Sequence, residues 1–114
     1  MRRLSITVLS VLQAIADDHQ YGFDIIDVTG LPSGTVYPAL SRLERDGYVK
    51  SAWEDETRAH RDGRPARRYY RVTAPGVQAL NEARDYYSKL AGFGSRRMPI
   101  RLAPLAQGRS RSKA

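Results

Sequence analysis

Apolar positions recur at helical spacing in four stretches of the chain and cluster as strands in two short ones. Leu4, Val8, Val11, Leu12 and Ile15 mark one face of a first helix from about Ser5 to Ala16, with Ser5 placed to cap it. Asp17 to Gln20 breaks the pattern. A shorter helix is predicted from about Gly22 to Val28, with Phe23 and Ile26 turned inward, Ile25 beside them, and Gly30 as its stop. Val36, Ala39, Leu40 and Leu43 then define a third helix, with Ser33 as its N-cap and Asp46-Gly47 at its end. Pro38 falls inside this pattern. Either the helix bends there after losing an early backbone hydrogen bond, or it begins nearer Pro38 behind a turn.

Tyr48 to Glu54, with Val49 and Trp53, and Arg68 to Thr73 read as two strands. Between them DETRAHRDGRPA is polar, with Asp62-Gly63 as a turn signal, so a two-stranded hairpin with a long tip is expected. Thr73 caps a last helix that accepts Pro75 in its first turn. Its apolar stripe is Val77, Leu80, Ala83, Tyr87 and Leu90, ending at about Ala91. After Phe93-Gly94 periodicity is lost, and disorder is expected from about Ser95.

Length and composition narrow the field. A chain of 114 residues supports one domain with a modest core. The absence of cysteine excludes disulfides, thiolate metal sites and a cysteine nucleophile. No apolar run approaches the ~20 residues of a membrane span. The start, MRRLSITVLSVLQAIADD, has the arginines of a signal peptide, but its apolar residues are periodic and acids follow them; it reads as the first helix of a cytoplasmic protein. The formal net charge is +7. Six of the basic residues lie in an acid-free tail: Arg96, Arg97, Arg101, Arg109, Arg111 and Lys113. The rest of the chain is therefore nearly neutral, and the tail supplies non-specific attraction to nucleic acid.

Charge placement says more than its total. Away from its apolar side, the third helix presents Gly34, Pro38, Ser41 and Arg45, flanked by Tyr37 and Arg42, with no carboxylate before Glu44 and Asp46. Small residues, hydroxyls and guanidinium groups permit close approach to a polyanion and donate to phosphates and base edges. An ordinary half-buried helix is the alternative. Within Arg58 to Arg68 there are five arginines, Arg58, Arg61, Arg64, Arg67 and Arg68, against one acid, Asp62, which suits phosphate binding or a solvated loop. Together the elements predict a mainly α fold with a small β-hairpin: a winged helix-turn-helix plus a C-terminal dimerisation helix. The third helix would enter the major groove, and the hairpin would bring an arginine to the backbone or minor groove.

Four separated strings support this assembly: YGFDII at Tyr21, SGTVYPALSRLERDGYV from Ser33, the strand with Trp53 and Glu54, and GRPARRYYRVTAPG from Gly63. Together they resemble the PadR-type transcriptional regulators over roughly Leu4 to Leu90. The resemblance implies a bacterial homodimeric DNA-binding regulator, usually a repressor, which in some members releases DNA on binding a small aromatic or drug-like effector. It puts Tyr21, Ser33, Thr35 and Tyr37 at or near DNA and Arg64, Arg67 and Arg68 in the wing. The exposed helical face adds Ser41 and Arg42. Longer members carry an additional C-terminal helical domain that has no counterpart here. The chain thus looks like the short subgroup, divided into a DNA-binding domain (1–73), a dimerisation helix (74–94) and a basic tail (95–114). The seam would be Val77, Leu80, Ala83, Tyr87 and Leu90, aided by the first helix, and a twofold dimer implies a near-palindromic operator on double-stranded DNA.

The remaining candidates are weaker. Tyr69 and Tyr70 point to opposite faces of their strand, so at least one belongs to the core. Trp53 is expected to pack rather than bind. His19 and His60 are expected at the surface and give no metal site. The carboxylates Asp24, Asp27, Glu54, Asp55 and Glu56 imply no catalytic pocket, and no cofactor motif or nucleophile motif is present, so no enzyme is expected. A basic RNA- or ribosome-associated protein is the alternative, carried by the arginine-rich tail. No aromatic stacking platform of the RNA-recognition type accompanies that tail.

Overall fold

Ser5 opens the first helix as expected: its hydroxyl accepts the Val8 N–H at 3.2 Å, and α1 runs Ile6–Ala16. The structure, a computed structural model, describes residues 3–97. Val8, Leu9, Val11, Leu12, Ala14 and Ile15 are buried along α1, which packs against the next two helices and the hairpin. Each large aliphatic side chain so buried contributes about 1.5–3 kcal/mol to folding.

The second helix, α2, spans Gly22–Thr29 and stops at Gly30, whose φ of 73° is the left-handed conformation that glycine adopts without steric cost. Its inward residue is Ile25, which is fully buried; Ile26 is half-buried and Phe23 is 49% exposed. Phe23 was expected in the core. An eight-residue helix buries only a narrow stripe, here Gly22 and Ile25, and Phe23 lies to one side of it, stacked on Tyr21 with ring centroids 5.5 Å apart.

The third helix, α3, spans Ser33–Arg45 and buries Val36, Ala39, Leu40 and Leu43 as its periodicity requires. Its N-cap is Pro32 rather than Ser33: the Pro32 carbonyl accepts the N–H groups of Thr35 and Val36 at 2.9 and 3.0 Å. Ser33 instead occupies the first helical turn with an exposed side chain. The helix passes through Pro38 without restarting, which settles the choice of its origin. Pro38 has no N–H to give the Gly34 carbonyl one turn earlier, and both residues lie on the exposed side.

Strands β1 (Val49–Trp53) and β2 (Arg68–Val72) pair antiparallel, in register from Val49 opposite Val72 to Trp53 opposite Arg68. Tyr21 adds an isolated bridge to Tyr69. Strand alternation gives the hairpin an inner face, with Val49 and Tyr70 buried, and an outer face with Lys50, Ala52, Tyr69 and Arg71. The expected turn-rich tip contains a helix, α4 (Glu56–Arg61). Asp55 starts it by accepting the Thr57 N–H at 2.9 Å, and Ala59 is buried. Gly63 has φ 70°, and the N–H groups of Gly63 and Arg64 return to the carbonyls of His60 and Ala59. Asp62-Gly63 is thus a helix stop rather than a hairpin turn. Both structures use a left-handed glycine, so the dipeptide alone does not separate them.

Thr73 caps α5 (Ala74–Arg97) as expected, its hydroxyl accepting the Gly76 N–H at 3.1 Å while donating to the Gly47 carbonyl at 2.6 Å. The helix runs past the expected end at Ala91, and Ser95 to Arg97 are its last residues. The expected tail beyond them lies outside the described residues. Two compact units divide within α5, after Arg84. In the first unit Leu80 and Ala83 are buried in its own core, whereas Val77 is exposed. In the second, Tyr87 is half-buried against Tyr86 in an edge-on ring contact, and Leu90 is 52% exposed. Among the described residues no helix is long and apolar enough to cross a membrane.

Candidate nucleic-acid interface

Helix α3 supplies the first part. Opposite its buried stripe, the side chains of Ser33, Pro38, Ser41 and Arg45 are exposed, and Tyr37 is 47% exposed on one flank. Thr35 and Arg42 lie on the other flank, half-buried. Arg42 stands 3.9 Å from Asp46, a long and solvated pair that holds it weakly. Arg45 has no carboxylate within ion-pair distance among the described residues. Tyr37 fixes the helix to its neighbour. A Cβ added at Gly22 would stand 2.7 Å from Tyr37 Cε1, so the ring rests directly on the α2 backbone. The residue singled out on α3 from sequence therefore packs with one part of its ring and is exposed with another.

The hairpin supplies the second part, and its arginines are differently employed. Glu54, just beyond β1, takes a two-pronged contact from the Arg64 guanidinium, through Oε1 and through Oε2 at 3.2 Å. Tyr21 donates its hydroxyl to Glu54 Oε2 at 2.7 Å, and the Arg67 backbone N–H reaches Oε1 at 3.1 Å. First the Arg64 guanidinium and then the Tyr21 hydroxyl hold the Glu54 carboxyl at a pKa of about 2, well below its ordinary value. The same contact raises the Tyr21 pKa, since its hydroxyl donates to a carboxylate, and raises that of Arg64. Tyr21, Arg64 and Arg67 are thus brought together around one acid. The Arg67 guanidinium lies 4.8 Å from the Phe23 ring centroid and 5.8 Å from that of Tyr21, a cation on the edge of an aromatic pair.

Arg68 belongs to a separate cluster on the inner face. Its guanidinium contacts Glu44 of α3 at 3.2 Å and the Ser51 hydroxyl at 2.8 Å, and that hydroxyl donates to Glu44 at 2.7 Å. It also stacks over the rings of Trp53 and Tyr70, 5.9 Å from each centroid. Burial raises the Tyr70 pKa, in keeping with its core position. Trp53 is 65% exposed, against the expectation of a packing role. It occupies the inner-face register, but lies at the end of β1 where no core remains to cover it. On the outer face Lys50 and Arg71 stand directly opposite each other, both exposed and without a carboxylate partner among the described residues. Like charges so placed cost stability and attract an anion.

The sequence reading missed Glu54 and Glu44 as holders of the wing arginines. The signal was available for Glu54: strand alternation runs it out past Trp53, beside the basic run that returns along β2. Glu44 needed the packing of α3 on the hairpin to be known. The arrangement as a whole offers hydroxyls, an arginine without an ion-pair partner among the described residues and a stiffened flap, which is donor chemistry suited to a polyanion.

This order of elements, a short helix, a second helix packed on it with an exposed donor face, then a two-stranded hairpin, defines a winged helix-turn-helix protein. The chain belongs to the family described as the Transcriptional regulator PadR-like family, whose model matches residues 11–82. Among curated proteins it is similar to Transcriptional regulator Rv3488 of Mycobacterium tuberculosis, 50% identical over 58 residues. That match covers 51% of this chain and 49% of the relative, so it spans about half the relative's length. Among solved structures it is similar to a PadR family transcription regulator from Clostridium difficile, with a TM-score of 0.72 at 20% identity, over 83% of this chain and all of the other. It is also similar to the transcriptional regulator BldR from Sulfolobus solfataricus, with a TM-score of 0.74 at 19% identity over 92% of this chain and 70% of the other. At these identities the likeness is one of fold.

Proposed function

We propose that the protein is a sequence-specific binder of double-stranded DNA that acts as a homodimeric repressor. The observation that carries this reading is the exposed side of α3: Ser33, Ser41 and Arg45 stand free on a helix whose position is fixed by Tyr37 on Gly22 and by Glu44 on the hairpin. Donors held on a rigid element are what base and phosphate contacts need, because little ordering entropy then opposes binding. Family membership supports the same reading. In it Thr35, Tyr37, Ser41 and Arg42 meet base edges or the phosphates beside them, Arg67 faces the backbone, and Tyr21, Arg64 and Arg68 brace the flap.

Val77, Tyr87 and Leu90 are the positions we assign to a second copy of the chain, with Leu80 and Ala83 supporting them from within. The operator is then near-palindromic, with half-sites about one helical turn apart. A small aromatic or drug-like effector belongs to the same proposal, as does action in the cytoplasm. The test is recovery of bound genomic fragments, followed by binding of the best duplex against an equal length of structured RNA. Preference for an inverted-repeat duplex at moderate salt supports the reading. Equal binding to random duplex and RNA overturns it. Sedimentation at micromolar concentration checks the dimer, which a monomer would exclude.

A further inference from the structure

We infer that Trp53 is a DNA contact of the hairpin, packing its indole against the sugar edges of the minor groove beside α3. The inference rests on the DNA-binding reading above and extends it to an apolar side chain that no basic-residue count would select.

Trp53 is the sole tryptophan of the chain, and it is 65% exposed on a hairpin only five residues long in each strand. Leaving an indole in water forgoes the burial that normally stabilises it, so a partner that covers it gains that burial. Its direction is fixed by the register. Trp53 shares a face with Ser51, and Ser51 bonds to Glu44 of α3. Its cross-strand partner Arg68 also bonds to Glu44 and lies over the indole, 5.9 Å from its centroid. On α3, Glu44 lies one turn from Ser41 and next to Arg45. The indole therefore continues the surface that begins with the free donors of α3, and it does so on the flap side.

Charge selects the occupant. Beside the indole on this face are the Arg68 guanidinium and the Ser51 hydroxyl, and Glu44, the carboxylate nearest them on α3, is already shared by both. An exposed aromatic plane with a guanidinium over it suits a polyanion with apolar sugar faces. Apolar side chains inserted at the minor groove act in this way, through shape rather than hydrogen bonding.

The single tryptophan allows a direct test on the full chain. The duplex recovered above is end-labelled, and its anisotropy reports binding while tryptophan emission is quenched with acrylamide. Saturating duplex is expected to shield Trp53 from the quencher. Trp53→Ala is expected to weaken binding about tenfold, the scale of one aromatic contact to nucleic acid, and Trp53→Phe to recover most of it. Circular dichroism melts should match the parent, since the side chain covers no core. If the duplex binds while quenching and the Trp53→Ala affinity stay at parental values, the inference fails and the DNA-binding reading stands. Shielding without any loss in Trp53→Ala overturns it too, as does a change confined to the sedimentation of the variant, which would assign the indole to a second copy. If no duplex is preferred at all, both readings fall together.

Discussion

Helix α3 and the hairpin both offer basic and hydroxyl side chains, yet they commit them differently. On α3 the exposed Ser33, Ser41 and Arg45 make no side-chain hydrogen bond or ion pair among the described residues, and Arg42 is held only by a distant Asp46. On the hairpin, Arg64 is clamped by Glu54 and Arg68 by Glu44, and each clamp draws in a further hydroxyl, from Tyr21 or from Ser51. Arg68 thus ties the flap to α3, while Arg64 braces Glu54 within the flap, which Tyr21 links to the body of the domain. Counting charge at the tip overstates what reaches a ligand. In the proposed reading the helix contacts the bases, and the bracing of the flap presents Arg67 and Trp53 in a fixed place.

The largest expected effect comes from removing the support of α3. In Gly22→Ala the added methyl would overlap the Tyr37 ring, and overpacking of this kind costs about 1–3 kcal/mol. Chemical denaturation should show that loss, and in the proposed reading DNA affinity should fall with it, because the Tyr37 ring joins α3 to α2 at Gly22. A variant of parental stability would mean that Tyr37 moves freely and that the helix is not held there.

The arginines separate the two regions next. Arg45→Ala is expected to leave the melting temperature unchanged, weaken binding across many sequences and reduce the salt slope by about 0.9. Arg64→Ala is expected to do the opposite: it lowers the melting temperature, because Glu54 loses its guanidinium partner and keeps only Tyr21 and the Arg67 N–H, and it changes the slope by less than about half as much. A full unit of slope lost in Arg64→Ala, with no change in melting, would return that residue to the phosphate backbone and erase the contrast.

Much of this was legible in the chain, for physical reasons that differ by element. Apolar spacing placed α1, α3 and α5, and local capping chemistry placed Ser5, Gly30 and Thr73, since each of these depends on near neighbours alone. The donor face of α3 was legible as the complement of its buried stripe. What failed was set by neighbours distant in sequence or by near-degenerate local signals. Ser33 lost the cap to Pro32 because a backbone carbonyl did the work that a side chain was expected to do. The helix at Glu56–Arg61 lay behind an Asp-Gly that also fits a turn. Phe23 and Trp53 looked like core residues by type, but one sits at the side of a short helix and the other at the end of a strand that outruns the core. Part of the α5 stripe was expected to pack back onto its own domain, and Leu80 and Ala83 are the residues that do so.

The smallest effect at neutral pH is also the most specific to the flap. Glu54 titrates at about 2 in the folded chain, against an ordinary value near 4.5. Its pKa is depressed on folding, so its contribution to stability is complete above the unfolded value and is lost as pH falls from there toward 2. Acid titration of the melting temperature should therefore steepen across that window. Glu54→Gln keeps the shape but removes the charge, so it should be less stable at neutral pH and should flatten the curve in the same window, converging on the parent near its lower end. Between neutrality and the unfolded value the two curves should run parallel. If Glu54→Gln leaves the acid limb as steep as before, other carboxylates govern it, and the clamp on Arg64 contributes little to holding the flap in place.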